Sequence, residues 1–148
     1  MNSSGSLDLL HVTGLLVALV LGSLIGLERQ FRKHPGGLHT SALVALGSAA
    51  YVIAGVLVGD ASGPARVTGQ VVTGVGFLCA GVIMHQGITV RGINTAATIW
   101  CASAVGVLAG LGFIAWAVLV ALLVLVANVA LHTCEHILFS SQDDPAQR

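Results

Sequence analysis

The sequence predicts an all-α polytopic membrane protein, a bundle of about five transmembrane helices with the N-terminus outside the cell and the C-terminus inside. Three observations carry that prediction. From Gly92 to Leu131 the chain runs 40 residues without an Asp, Glu, Lys, Arg, His or Pro. As a helix this run would reach roughly 60 Å against a hydrocarbon core about 30 Å thick, so it folds back once. The break is expected at Gly110-Leu-Gly112, where two glycines lower helix propensity together. Second, 55% of the 148 residues are hydrophobic and 8% are charged, more apolar surface than a soluble domain of this length could hide. Third, the basic residues fall in alternate connections.

Five segments are long enough to span: Leu9 to Leu27, Leu38 to Gly59, Val67 to Met84, Asn94 to Gly110 and Phe113 to His132. All are expected to be helices, because an open sheet edge in lipid leaves backbone groups unpaired. The first eight residues lack a basic region and carry Asp8, so the first segment is expected to stay as a span behind a short outer tail. Residues 9–132 form the transmembrane domain and 133–148 a polar cytoplasmic tail. The connection after the first span holds Arg29, Arg32 and Lys33, and the one after the third holds Arg91. With these four and Arg148 of the tail inside, five of the six Lys and Arg residues are cytoplasmic and only Arg66 is outside.

The 19 glycines recur at helical spacing, as Gly22 and Gly26, Gly55 and Gly59, then Ala102, Gly106 and Gly110. Small residues four apart make a flat stripe for close helix contact. Gly69, Gly74, Gly76 and Gly81 make the third span the most glycine-rich and the expected centre of the bundle. Tyr51, Trp100 and Trp116 lie within spans and are expected to pack.

Polar groups near the membrane fall into two sets. The inner set is Glu28, Arg29, Gln30, His39, Thr40, Asn94 and Thr95, and the outer set is Asp60, Arg66 and Gln70. Ionisable residues at or inside a span are expensive and call for a partner or a function. Glu28 is the sharpest case. It is either half of an interfacial pair with Arg32, one turn on, or a buried functional carboxylate. Since each member of the inner set begins or ends a span on the same side, Glu28, His39, Asn94 and Thr95 are expected to converge at the bundle's cytoplasmic mouth.

No enzyme signature emerges. There is no Gly-x-Ser-x-Gly elbow, HExxH or P-loop, and Gly74-Val-Gly76 lacks the third glycine of a dinucleotide fingerprint. His132 and His136 share a helix face but fit the end of a membrane helix better than a metal site. Cys79, Cys101 and Cys134 show no CxxC spacing and read as small apolar fillers. No cofactor or metal is expected, and zero net charge without a basic stripe argues against nucleic acid. The expected partners are the lipid bilayer and either further copies of this chain or another membrane protein.

Four blocks together resemble the MgtC/SapB family of bacterial inner-membrane proteins: residues 21–30 (LGSLIGLERQ), 37–48 (GLHTSALVALGS), 66–83 (RVTGQVVTGVGFLCAGVI) and 92–100 (GINTAATIW). The resemblance covers about residues 14 to 131 and is closest to the short SapB form. It implies a five-helix inner-membrane domain, an association with growth in low magnesium, survival inside host cells for some members, and restraint of the ATP synthase by one. The chain has His39 where the family has Arg, Gly63-Pro64 where it has Asp-Pro, and Cys79 where it has a second glycine. A site built on a permanent guanidinium at position 39 is therefore in question.

Three functions compete. The first is a membrane protein that modulates another membrane system in magnesium-linked ion or stress homeostasis by helix-to-helix contact. The second is an oligomeric transporter or channel for a small ion such as magnesium, because one copy offers only Glu28 where that cation prefers several oxygens. The third is a structural subunit of a larger complex.

Overall fold

A computed structural model of the chain describes residues 8–32, 37–86 and 89–139. The expected outer tail up to Leu7, Lys33 and the chain beyond Phe139 lie outside the described residues. Five helices are long and apolar enough to cross a membrane: α1 Leu9–Phe31, α2 Leu38–Leu57, α3 Gly63–Val82, α4 Ile93–Gly110 and α5 Ile114–Phe139. A hairpin of two antiparallel strands, β1 Met84–Gln86 and β2 Thr89–Arg91, joins α3 to α4. Hydropathy places the spans but not the caps, so the helix ends differ from the sequence reading. α1 runs through Glu28, Arg29 and Gln30, since nothing before Pro35 interrupts its backbone ladder. α3 begins four residues early because Pro64 sits in its first turn, where a missing N–H costs nothing. α5 runs on through residues 133–139, expected to be tail.

The break between α4 and α5 falls where expected. Gly112 takes a left-handed φ of 84°, its N–H bonds the Ala109 carbonyl at 3.0 Å, and the Phe113 N–H bonds the Leu108 carbonyl at 2.9 Å. This is the paired C-terminal cap that a residue with a Cβ adopts only with strain.

α4 is the central helix and touches the other four, while α3, α2, α1 and α5 follow one another around it. The expectation that α3 lies at the centre is corrected. Of α4's most apolar stretch 61% is buried, against 11% for α3. A central helix must be narrow all round, and α4 has Ala, Ser, Thr or Gly at most positions. On α3 the glycines alternate with Phe77 and Leu78, both exposed. Tyr51, Trp100 and Trp116 also face outward, because helices in near-backbone contact leave no room for large rings.

Two apolar clusters fill the bundle. Ala18, Ile25, Ala49, Val105, Ala109, Ala117 and Ala121 join α1, α2, α4 and α5, whereas Val52, Val71, Val75, Ile99 and Val107 join α2, α3 and α4. The glycine stripes on α1 and α4 set their spacing. A Cβ on Gly22 would lie 2.7 Å from the Ala45 side chain and one on Gly26 2.6 Å from the Leu38 backbone. One on Gly106 would overlap the Ala45 carbonyl, and one on Gly110 would lie 2.7 Å from that of Ala49. By contrast, a Cβ on Gly74, Gly76 or Gly81 would meet nothing within 4 Å. Those three glycines pack no neighbour within this chain, contrary to expectation: Gly76 lies on the exposed side of α3 that carries Gly69, and Gly74 borders an open groove between α2 and α3. Gly59 serves a turn, with φ 78°, while its expected partner Gly55 packs on Val67.

Candidate functional site

On α1 the buried residues Gly22, Ile25, Gly26 and Arg29 follow helical spacing, so the stripe that lets α2 approach also carries Arg29 into the bundle. Its side chain is 3% exposed. Nη2 donates to Thr95 Oγ1 at 2.7 Å and Nη1 to Thr98 Oγ1 at 2.9 Å, both hydroxyls being buried in the first turns of α4. Thr98 Oγ1 donates its own proton to the Asn94 carbonyl at 2.9 Å, which turns its lone pairs toward the guanidinium.

Glu28 is one residue earlier and therefore about 100° around the helix. It faces α5 instead. Its carboxylate is ion-paired with Arg32, and Oε2 accepts from Asn128 Nδ2 at 3.4 Å. Gln30 turns a third way, and its Oε1 accepts from the Leu38 N–H at 3.4 Å, at the first turn of α2. The inner set thus separates into an α1–α4 lock, an α1–α5 contact and a cap on α2. His39 and Thr40 are exposed, and no hydrogen bond among the described residues joins them to Arg29. Asn94 is also exposed and contributes its backbone carbonyl alone.

Thr98 and Asn128 are the members that sequence reasoning missed. Thr98 could have been found by extending the small-residue stripes, since it precedes Ala102 by four on α4 as Arg29 follows Gly22 by seven on α1. Asn128 is a lone amide in an apolar run, which is itself a signal. Deeper in the bundle, Ser48 of α2 and Ser103 of α4 share a buried hydrogen bond of 2.8 Å.

At the opposite end, Asp60 Oδ1 accepts from the Ser62 N–H at 3.1 Å and Oδ2 from Ser62 Oγ at 2.9 Å, with Arg66 Nη1 3.3 Å away. The Ser62 donors, aided by Arg66, hold the Asp60 carboxyl below its ordinary range. Gln70 lines a groove between α2 and α3 rather than joining this loop. Cys79 Sγ contacts the Ala96 carbonyl at 3.2 Å and Cys101 is exposed. The side chains of His132, Cys134 and His136 lie outside the described residues.

The MgtC family profile matches residues 15–137. A Synechocystis protein without an assigned role is 54% identical over 117 residues, covering 79% of this chain and 50% of its own length. Protein MgtC of Salmonella typhimurium strain LT2 is 47% identical over 121 residues, covering 82% of this chain and 52% of its own. Protein MgtC of Brucella abortus strain 2308 is 48% identical over 121 residues, covering 82% and 51%. The chain therefore spans about half the length of these relatives. No solved structure matches it. The matched region takes in α2, α3 and α4 whole, most of α1 and α5, and both partners of the Arg29 lock, and the chain belongs to the MgtC family.

Proposed function

We propose that this chain is a regulator embedded in the bacterial inner membrane, acting on another membrane protein by helix-to-helix contact in magnesium-linked ion or stress homeostasis. The observation that carries this reading is the division of labour between inside and outside. Five of the six buried polar residues tie helices to one another, Arg29 with Thr95 and Thr98 and Ser48 with Ser103. The outward faces of α3 carry Gly69 and Gly76, where an added Cβ meets nothing within 4 Å, a surface suited to close approach by another helix. A permanent guanidinium between α1 and α4 also opposes a cation passing through the middle of one copy.

The test is flux from liposomes holding only this protein, set beside capture of membrane partners. The regulator reading expects no Glu28-dependent magnesium or proton flux, and a partner whose capture is lost in Gly76→Leu. Robust flux that Glu28→Gln alters would sink it and establish the oligomeric transporter in its place.

A further inference from the structure

The outer polar set takes no part in the Arg29 lock, yet Gln70 lines a groove on the molecule's side and Arg66 stands one helical turn before it on α3. The groove lies between α2 and α3 and holds about 540 Å³, within the size range of small-ligand sites. The two helices run antiparallel with Gly55 against Val67. Counting away from that contact along both helices brings Tyr51 level with Val71, one residue past Gln70, and Val44 level with Leu78. Along α3, Arg66, Gln70, Gly74 and Leu78 form one four-residue ridge. From the helix start toward the middle of the span this ridge presents a guanidinium, a carboxamide, a gap and then hydrocarbon. Arg66 is well exposed, and its contact with Asp60 occupies one edge of a five-donor group. Gln70 has no hydrogen-bond partner among the described residues, and a carboxamide about 10 Å inside a span calls for one. A Cβ on Gly74 would meet nothing, so the gap is open to its floor.

We propose that this groove binds one anionic glycerophospholipid. Its phosphate meets Arg66, its ester carbonyl accepts from Gln70 or Tyr51, and one acyl chain lies over Gly74 toward Leu78. The order of charge, hydrogen-bonding group and hydrocarbon along the ridge is the order of those parts in such a lipid, entering from the membrane face. The phosphate is complementary in charge to Arg66, which is what selects a lipid over an apolar helix. The proposal stands independently of the regulator reading.

The test uses the full chain in phosphatidylcholine nanodiscs containing a small fraction of phosphatidylglycerol with a photoreactive acyl chain, the adducts being mapped by peptide mass spectrometry. Adducts should concentrate on 43–51 and 70–78 over the equally exposed α5, and unlabelled phosphatidylglycerol should displace them about fivefold better than phosphatidylcholine. Arg66→Gln should abolish that preference. Gly74→Leu should remove the adducts from a protein that is still folded, whereas Gly69→Leu should keep them. Adducts spread evenly over α3 and α5 would overturn the proposal, as would displacement indifferent to headgroup. Crosslinks between two copies through the groove would assign it to a second chain instead.

Discussion

Arg29 carries a charge that titration cannot remove, so burying it obliges the fold to supply acceptors. Thr95 and Thr98 do so, each through one short bond. Thr95→Val and Thr98→Val keep the side-chain shape but leave a guanidinium N–H without its acceptor. Each should lower stability by about 1–3 kcal/mol, read as a fall in the unfolding midpoint in detergent. Arg29→Lys should cost at least as much, because an ammonium is a single point and cannot reproduce the two-armed contact. Asp60 offers a pH-dependent counterpart. Its carboxyl is held below its ordinary range in the folded chain, so its contribution is full above the unfolded value and is lost as pH falls through the folded one. Acidification should therefore loosen the α2–α3 turn, and Asp60→Asn should flatten that dependence. Hydrogen exchange of residues 60–66 across the acid range measures both.

At the scale of the helix, glycine has two distinct uses. On α1 and α4 it removes a Cβ that would strike α2, and on α3 it leaves a surface without contacts inside the chain. Gly106→Leu should force α4 from α2 and cost several kcal/mol, more than the 1–3 typical of an overpacked core, because the obstructing atom is backbone. Gly74→Leu should leave the unfolding midpoint nearly unchanged. Similar losses from both would contradict the burial difference between α4 and α3. Four-residue spacing marks the glycines of α1 and α4 that meet α2 but does not tell them from α3's glycines, since spacing describes one helix and packing requires two. The same limit hid Thr98 and Asn128, whose roles exist only once α1 lies beside α4 and α5.

For the whole molecule, five crossings, an odd number, predict that the two ends lie on opposite sides of the membrane, and the Lys and Arg count predicts an outer N-terminus. Reporter fusions at Gly63 and Gln142 should give opposite signals, the first periplasmic and the second cytoplasmic. Identical signals would refute the five-span map, and reversed ones its orientation. The orientation matters for the lipid groove as well, because it decides which leaflet presents a headgroup to Arg66.

Hydropathy and length were enough to determine five membrane helices and the break at Gly110 to Gly112, because the bilayer imposes those requirements on each segment separately. The sequence also held the evidence that polar residues cluster near the ends of α1, α2 and α4. The tertiary structure decided which helix is central, which way Glu28, Arg29 and Gln30 diverge, and which glycines touch anything. Those are properties of pairs of helices: three consecutive residues point about 100° apart, and their partners come from three other helices, two of them far along the chain.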